Sequence, residues 1–203
     1  TYQEYVAVLL LVKMDVERKI ESIEIEADVN HKFDDINIKT EGEEYYLQIK
    51  DIDNISIEKI EKTGDSLNIN GIEHKLSEKT NILFFKNIDI LSNCEIIGLP
   101  AYKSDNFYIV SFSRIEIENK IDELYNNDFH RKSDIKRFFG ECLDKRKLTI
   151  HRENLPIINV FSTKLLEPTI NIGKKFLKFE NILVIEGKPG VGKSHFVKCL
   201  ENE

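Results

Sequence analysis

Three residues in the first quarter of the chain have types and a spacing suited to metal-assisted chemistry on a phosphodiester. Asp35 is followed after thirteen positions by Gln48, and Lys50 lies two positions further on. Carboxylate and amide oxygens are the hard ligands that Mg²⁺ or Mn²⁺ takes in proteins. Such a cation activates water and neutralises phosphate charge, while a lysine ammonium can orient that water or stabilise the developing charge. The spacing therefore predicts one site formed by Asp35, Gln48 and Lys50.

The elements that must position these residues are strands, because polar and apolar residues alternate along them. Residues 22–29 alternate with period two, and residues 33–39 and 44–50 flank a turn that contains Gly42. This pattern predicts a strand followed by a β-hairpin. Since alternate residues share a face, Asp35, Gln48 and Lys50 converge on one polar surface of the predicted hairpin.

Further carboxylates can join this surface. Glu26 can come from the first strand, or Glu24 if the register differs. Asp34 and Asp35 are both candidate metal ligands, and strand parity favours Asp35. The candidate catalytic residues are Glu26, Asp35, Gln48 and Lys50. The candidate ligands of Mg²⁺ or Mn²⁺ are Asp35, Asp34, Glu26 and Gln48.

A nucleotide-phosphate-binding P-loop is predicted at residues 187–194, after a short apolar strand predicted at 181–185. Its glycines let the backbone wrap closely around phosphates, Lys193 would reach the β- and γ-phosphates, and Ser194 would hold Mg²⁺. Only nine residues follow Ser194, so we expect a truncated NTPase start that does not hydrolyse nucleotide. The predicted nucleotide-binding residues are Gly187, Gly190, Gly192, Lys193 and Ser194.

The remaining patterns predict an α/β fold with a mixed sheet flanked by helices. A helix is predicted for residues 1–17 and helical structure for 116–147, and the other patterns are β-rich or irregular. Strands are expected at 66–70, 72–76, 82–85 and 107–112, with Pro100 and residues 104–106 in a loop and residues 148–178 in a connector. The predicted domains are 1–115 (catalytic), 116–178 (helical connector) and 179–203 (start of the NTPase).

Charge and hydropathy limit the possible partners. A net charge of −7 argues against a protein that simply coats nucleic acid, but a local basic patch can coexist with it. The basic residues between His130 and Lys147 could contact DNA phosphates or form the solvated side of helices. The apolar run at 6–12 is too short to span a bilayer, and separated cysteines fit a reducing compartment. We therefore expect a cytoplasmic protein with no membrane partner.

The combination of Glu26, Asp35 and Gln48-Ile49-Lys50 resembles the PD-(D/E)XK nuclease signature, in the variant where Gln replaces the last acid. With Tyr2-Gln3 on the opening helix, it looks like the double-stranded DNA endonuclease domains of the Cap4 type over roughly residues 1–115. This resemblance implies a restriction-endonuclease-like core and metal-dependent cleavage of double-stranded DNA. The chain departs from the signature in having no proline before the aspartate, and Gln48 is a weaker metal ligand than glutamate.

A nuclease domain followed by a P-loop is similar to the antiviral STAND NTPases, which join an effector to an ATPase and a sensor. This similarity implies an antiphage defence protein that binds ATP. Its nuclease would be activated when a phage-derived trigger, sensed by a missing C-terminal region, drives homo-oligomerisation. The alternative is a nucleotide-binding regulatory or partner-binding module with a degenerate, inactive nuclease fold.

Overall fold

The computed structural model describes residues 1–26, 33–53, 60–105, 107–126, 128–145 and 148–156. The helices are α1 (Tyr2–Glu17), α2 (Arg114–Leu124) and α3 (Phe129–Asp144), with a short 3₁₀ helix at Arg152–Asn154. The strands are β1 (Ile20–Ile25), β2 (Ile36–Thr40), β3 (Glu43–Asp53), β4 (Ile60–Thr63), β5 (Ser66–Ile69), β6 (Ile72–Lys75), β7 (Thr80–Asn87), β8 (Cys94–Ile96), β9 (Leu99–Ser104), β10 (Phe107–Ser111) and β11 (Thr149–His151).

The fold is α/β, with a mixed sheet flanked by helices, as the sequence predicts. Eight strands form the main sheet in the order β11-β1-β2-β3-β7-β10-β9-β8. The pairs β3–β7 and β7–β10 are parallel, and the other pairs are antiparallel. The strands β4, β5 and β6 form a separate antiparallel sheet within the connection from β3 to β7.

The helix α1 begins at a capping box and packs against the main sheet. The Thr1 hydroxyl accepts the Glu4 backbone N–H at 3.3 Å, and the Glu4 carboxylate accepts from the Thr1 amino group at 2.8 Å. The apolar residues at 6–12 are buried, and α1 contacts β1, β3, α2 and α3. The Tyr2 hydroxyl lies 2.8 Å from the carbonyl oxygen of Phe85 and 2.6 Å from that of Phe112. These contacts anchor the first turn of α1 to β7 and to the end of β10.

The opposite face of the main sheet is covered by the small sheet. Alternate residues of a strand point to opposite faces, so Leu83 and Phe85 face away from α1. They join Leu67 and Ile69 of β5 and the fully buried Phe33 in one apolar cluster. The small sheet thus packs on the face that also carries Gln48, because Gln48 pairs with Leu83.

Several local predictions are confirmed. The helix predicted at 1–17 is α1, and the hairpin turns at Gly42, whose φ is +87°. The pair β5–β6 turns at Gly71, whose φ is +81°. Both glycines occupy backbone conformations that other residues adopt at a cost. The helical region predicted at 116–147 contains all of α3 and all but the first two residues of α2.

Three strand limits and one loop differ from the predictions. The first strand starts at Ile20, two residues earlier than expected. It ends at Ile25, because Glu26 adopts a φ of +54° that a strand does not allow. The strand β2 starts at Ile36, three residues later than expected. Pro100 was expected in a loop but lies in β9, where only residues 102–104 pair with β10. Pro100 has no N–H, and β9 tolerates it at this position because Pro100 pairs only with the short edge strand β8.

The stretch expected to be a connector also contains a strand of the main sheet. Residues 149–151 form β11, which pairs with β1 through Ile23 and Ile150. The compact unit that holds this sheet runs from Thr1 to Pro156. The predicted boundary at residue 115 therefore falls inside the unit. Within the ranges given above, no helix is long and apolar enough to cross a membrane.

Candidate functional site

The hairpin register places Asp35 opposite Gln48. The antiparallel pairs Thr40↔Glu43 and Ile36↔Leu47 define this register, and Asp35 lies one residue before β2. Gln48 is 7% exposed. The predicted convergence of these two side chains is present as a direct contact.

The Asp35 carboxylate is held by two donors from β3. Its Oδ2 accepts the backbone N–H of Ile49 at 2.6 Å and a hydrogen bond from Nε2 of Gln48. No hydrogen bond to its other oxygen, Oδ1, occurs among the described residues. Two donors thus fix one carboxylate oxygen, and among the described residues the other oxygen accepts no hydrogen bond.

The backbone of Asp35 is held as well. Its carbonyl oxygen accepts the N–H of Glu26 at 2.9 Å and Nε2 of Gln3 at 3.2 Å. The first bond comes from the end of β1 and the second from the first turn of α1. Both the side chain and the main chain of Asp35 are therefore tied to neighbouring elements.

Lys50 lies two residues beyond Gln48 on the same face of β3 and is partly buried. In the part of the chain that the structure describes, its ammonium forms no ion pair. Burial lowers the pKa of Lys50, and the charges of Asp35 and Asp34 oppose that effect. The Lys50 ammonium thus interacts electrostatically with both carboxylates and forms an ion pair with neither.

The pKa of Asp35 is raised, mainly because burial disfavours its charge, and the nearby charge of Asp34 adds to the effect. The bond from Ile49, the charge of Lys50 and the bond from Gln48 act in the opposite direction without cancelling it. Asp35 and Lys50 are therefore both shifted toward their neutral forms. Opposed shifts of this kind are common at functional sites.

The other two candidate carboxylates lie near Asp35 in different ways. Asp34 is partly buried, and its charge reaches both Asp35 and Lys50. The pair Glu24↔Asn37 and the bond from the Glu26 N–H to Asp35 show that the register brings Glu26, rather than Glu24, beside Asp35. The Glu26 side chain is exposed. Asp35 and Gln48 are thus in direct contact, and the charges of Asp34 and Lys50 act on Asp35. Glu26 contacts Asp35 through its backbone N–H.

The oxygen atoms at Asp35 and Gln48 suit a magnesium ion that keeps several of its waters. Asp35 Oδ1 and Gln48 Oε1 are hard donors, and one or two carboxylates are enough for such an ion. No set of three histidine, cysteine, aspartate or glutamate side chains placed to hold a metal occurs among the residues that the structure describes. These two protein oxygens would leave most positions around such an ion to water.

Two contacts at the site were not predicted from the sequence, although Gln3 itself belongs to the residues that carry the resemblance. The Ile49 backbone N–H binds Asp35 because antiparallel pairing puts β3 beside the residue that precedes β2. Gln3 reaches Asp35 across 32 positions of sequence. No periodic pattern links an opening helix to that strand, so only the packing of α1 reveals the contact.

The basic stretch on α3 is engaged in ion pairs. Arg131 contacts Asp15 at 2.8 Å, and Lys132 and Lys136 each contact Glu118 at 2.7 Å. Arg137 and Lys145 pair with acidic residues of α3 itself, at 2.7 Å and 3.8 Å. Arg146 and Lys147 lie outside the described residues. The described cations of this stretch are thus neutralised within the protein, which favours the interpretation as a solvated helix face.

The predicted P-loop residues Gly187, Gly190, Gly192, Lys193 and Ser194 also lie outside the described residues. The chain matches no family model, no curated protein and no solved structure. The chemistry of the site itself therefore carries the functional argument.

Proposed function

We propose that the chain carries a metal-dependent DNA endonuclease whose site is formed by Asp35, Gln48 and Lys50. One observation carries this proposal. A carboxylate fixed by Gln48 and by the Ile49 N–H lies near a partly buried lysine that has no ion-pair partner among the described residues. A carboxylate with one open oxygen suits a cation, and an unengaged ammonium suits a phosphate.

In this proposal Asp35 Oδ1 and Gln48 Oε1 would hold Mg²⁺ or Mn²⁺, with Asp34 or Glu26 contributing directly or through water. The cation would activate water and neutralise charge on the scissile phosphate. A phosphate next to Lys50 raises the pKa of this lysine again, since the negative charge favours the ammonium form. Lys50 would then stabilise the charge that develops on the phosphate.

We further propose that the sheet forms a restriction-endonuclease-like core, as the resemblance to PD-(D/E)XK nucleases implies. Support comes from the placement of Asp35 directly before β2 and of the Gln-x-Lys motif on the neighbouring strand β3 of a mixed sheet. The PD-(D/E)XK resemblance carries the proposal that the substrate is double-stranded DNA.

The sequence motifs support a place for this nuclease in a larger assembly. The P-loop at 187–194 would bind ATP, and we propose that nucleotide-dependent homo-oligomerisation of the longer protein activates cleavage in antiphage defence. This part of the proposal rests on the P-loop and on the resemblance to STAND NTPases.

The test is plasmid cleavage by the intact protein, with Mg²⁺, with Mn²⁺ and with EDTA. We expect Asp35→Asn to lower the rate by at least about 100-fold, because a carboxylate ligand is lost. The matched control is Asp89→Asn, which changes an exposed aspartate with no hydrogen bond or ion pair among the described residues. Wild-type cleavage that persists in EDTA, or Asp35→Asn cleavage at the wild-type rate, would refute the proposal.

A second candidate function is a regulatory or partner-binding module with an inactive nuclease fold. It is favoured by Gln48, which stands where the PD-(D/E)XK signature has an acidic residue and is a weaker metal ligand than glutamate. Calorimetry with Mg²⁺ and Mn²⁺ separates the two functions. A folded protein that binds neither ion supports the module, and binding that Asp35→Asn removes supports the nuclease.

A further inference from the structure

We infer that Gln3 is a positioning residue, which holds the backbone of Asp35 so that the Asp35 carboxylate meets its donors on β3. This inference rests on the proposed nuclease function, since it gives Gln3 a role in that same site. It concerns a residue of α1 that has no direct contact with the Asp35 carboxylate.

The first observation is the bond from Gln3 Nε2 to the Asp35 carbonyl oxygen at 3.2 Å. Asp35 lies in the bend that precedes β2, so regular pairing of β2 does not fix it. Its carbonyl has two donors, Gln3 and the N–H of Glu26. Because Glu26 has left the strand with a φ of +54°, Gln3 is the donor that comes from a regular, buried element.

The second observation is that the same turn of α1 is anchored on the other side of β3. The Tyr2 hydroxyl contacts the carbonyl of Phe85, and Phe85 is the register partner of Lys50. Tyr2 is 1% exposed. The first turn of α1 thus spans β3, with Gln3 reaching the residue before β2 and Tyr2 reaching β7.

The bond from Gln3 explains how two donors can meet a single oxygen of Asp35. The Ile49 N–H and the Gln48 amide both lie on β3, and they reach Oδ2 only while the main chain of Asp35 keeps its position. Outer-shell partners of metal ligands typically change metal affinity by about 10- to 100-fold when they are removed. Loss of the Gln3 bond therefore weakens the site without removing a ligand.

The experiment compares wild type, Gln3→Met and Tyr2→Phe. Methionine keeps the length and helix propensity of glutamine but donates no hydrogen bond. Tyr2→Phe is the matched control, because it releases the same turn of α1 from β7 and leaves the bond to Asp35 in place. Thermal unfolding verifies that each variant is folded.

Two readouts are used. The first is the Ile49 amide proton resonance in the metal-free protein, which reports the hydrogen bond to Asp35. The second is the Kd for Mg²⁺ from calorimetry. For Gln3→Met we expect an upfield shift of the Ile49 resonance and a Kd about 10-fold weaker, while Tyr2→Phe leaves both near wild type.

An unchanged Ile49 resonance in Gln3→Met would overturn the inference, and so would equal shifts in both variants, which would indicate general helix packing. The proposed function fails separately. If the wild-type protein binds no Mg²⁺ and cleaves no DNA, the Ile49 resonance still decides whether Gln3 positions Asp35.

Discussion

Charged side chains are arranged in opposite ways at the hairpin site and on the helical side of the molecule. Between α2 and α3, Glu118 accepts from both Lys132 and Lys136. Asp15 of α1 accepts from Arg131 of α3 and from the hydroxyl of Tyr125. At the hairpin, Lys50 has no ion pair among the described residues, and burial raises the pKa of Asp35.

This difference separates charges that stabilise the protein from charges that are left open to a ligand. The partners of Glu118 outweigh its burial, so its pKa falls below the usual value. The donors around Asp35 do not outweigh its burial. A charge placed where the protein itself leaves it undercompensated suits binding of an external charge, at some expense in stability.

The largest contrast is expected in catalysis. Lys50→Met should lower plasmid cleavage by about 100-fold or more, because the ammonium that would stabilise phosphate charge is lost. Lys136→Met should leave cleavage within about twofold, since its ammonium already pairs with Glu118 at 2.7 Å. The rates are compared under saturating Mg²⁺, and an equal loss in both variants would mean that α3 also contacts DNA.

The next contrast is a change of sign in stability. Asp15→Asn should lower the free energy of unfolding by about 2 kcal/mol, because Arg131 and Tyr125 lose a charged acceptor. Asp35→Asn should raise it at pH 7 in the metal-free protein, since an amide oxygen can still accept from Ile49 while the disfavoured charge is gone. Urea unfolding at pH 7 measures both, and destabilisation by Asp35→Asn would contradict the comparison.

The smallest contrast is in pH dependence. Asp35 has a folded-state pKa above its usual 3.8, so its contribution to stability is present below that pH and is lost as the pH rises through the folded pKa. Glu118 has a folded-state pKa below 4.5, so its contribution is present above 4.5 and is lost as the pH falls through the folded pKa.

Urea unfolding of the metal-free wild type, Asp35→Asn and Glu118→Gln across the acid range measures these contributions. The free energy of unfolding of wild type minus that of Asp35→Asn should fall with rising pH. The free energy of unfolding of wild type minus that of Glu118→Gln should rise with pH, by less than about 1 kcal/mol because Glu118 forms a surface ion pair. Slopes of the same sign would remove the distinction between the two regions.

The hairpin was predictable because its information is local. Alternation along β2 and β3 and the glycine at position 42 define the turn, and the turn then determines that Asp35 lies opposite Gln48. The strand β11 has three residues and no period of its own, so only its pairing with β1 makes it a strand. Pro100 was expected in a loop for a similar reason, since the tolerance of proline depends on which neighbours pair with it.

The electrostatic character of the site was not predictable in the same way. The residue types and strand parity indicate which side chains meet, but burial of Asp35 depends on how α1 and the small sheet pack around the hairpin. The bond from Gln3 likewise depends on where the helix comes to lie on the sheet. Such long-range contacts leave no periodic signal in the sequence.

The small sheet β4–β6 has a consequence for cooperativity. It packs on Phe33, which lies two residues before Asp35, and on Leu83, which pairs with Gln48. An opening of the small sheet would therefore expose Phe33 and free the segment that leads into Asp35. Amide exchange in β5 and at Ile49 should then report one shared opening event, so the integrity of the site is tied to a module that contributes none of its chemical groups.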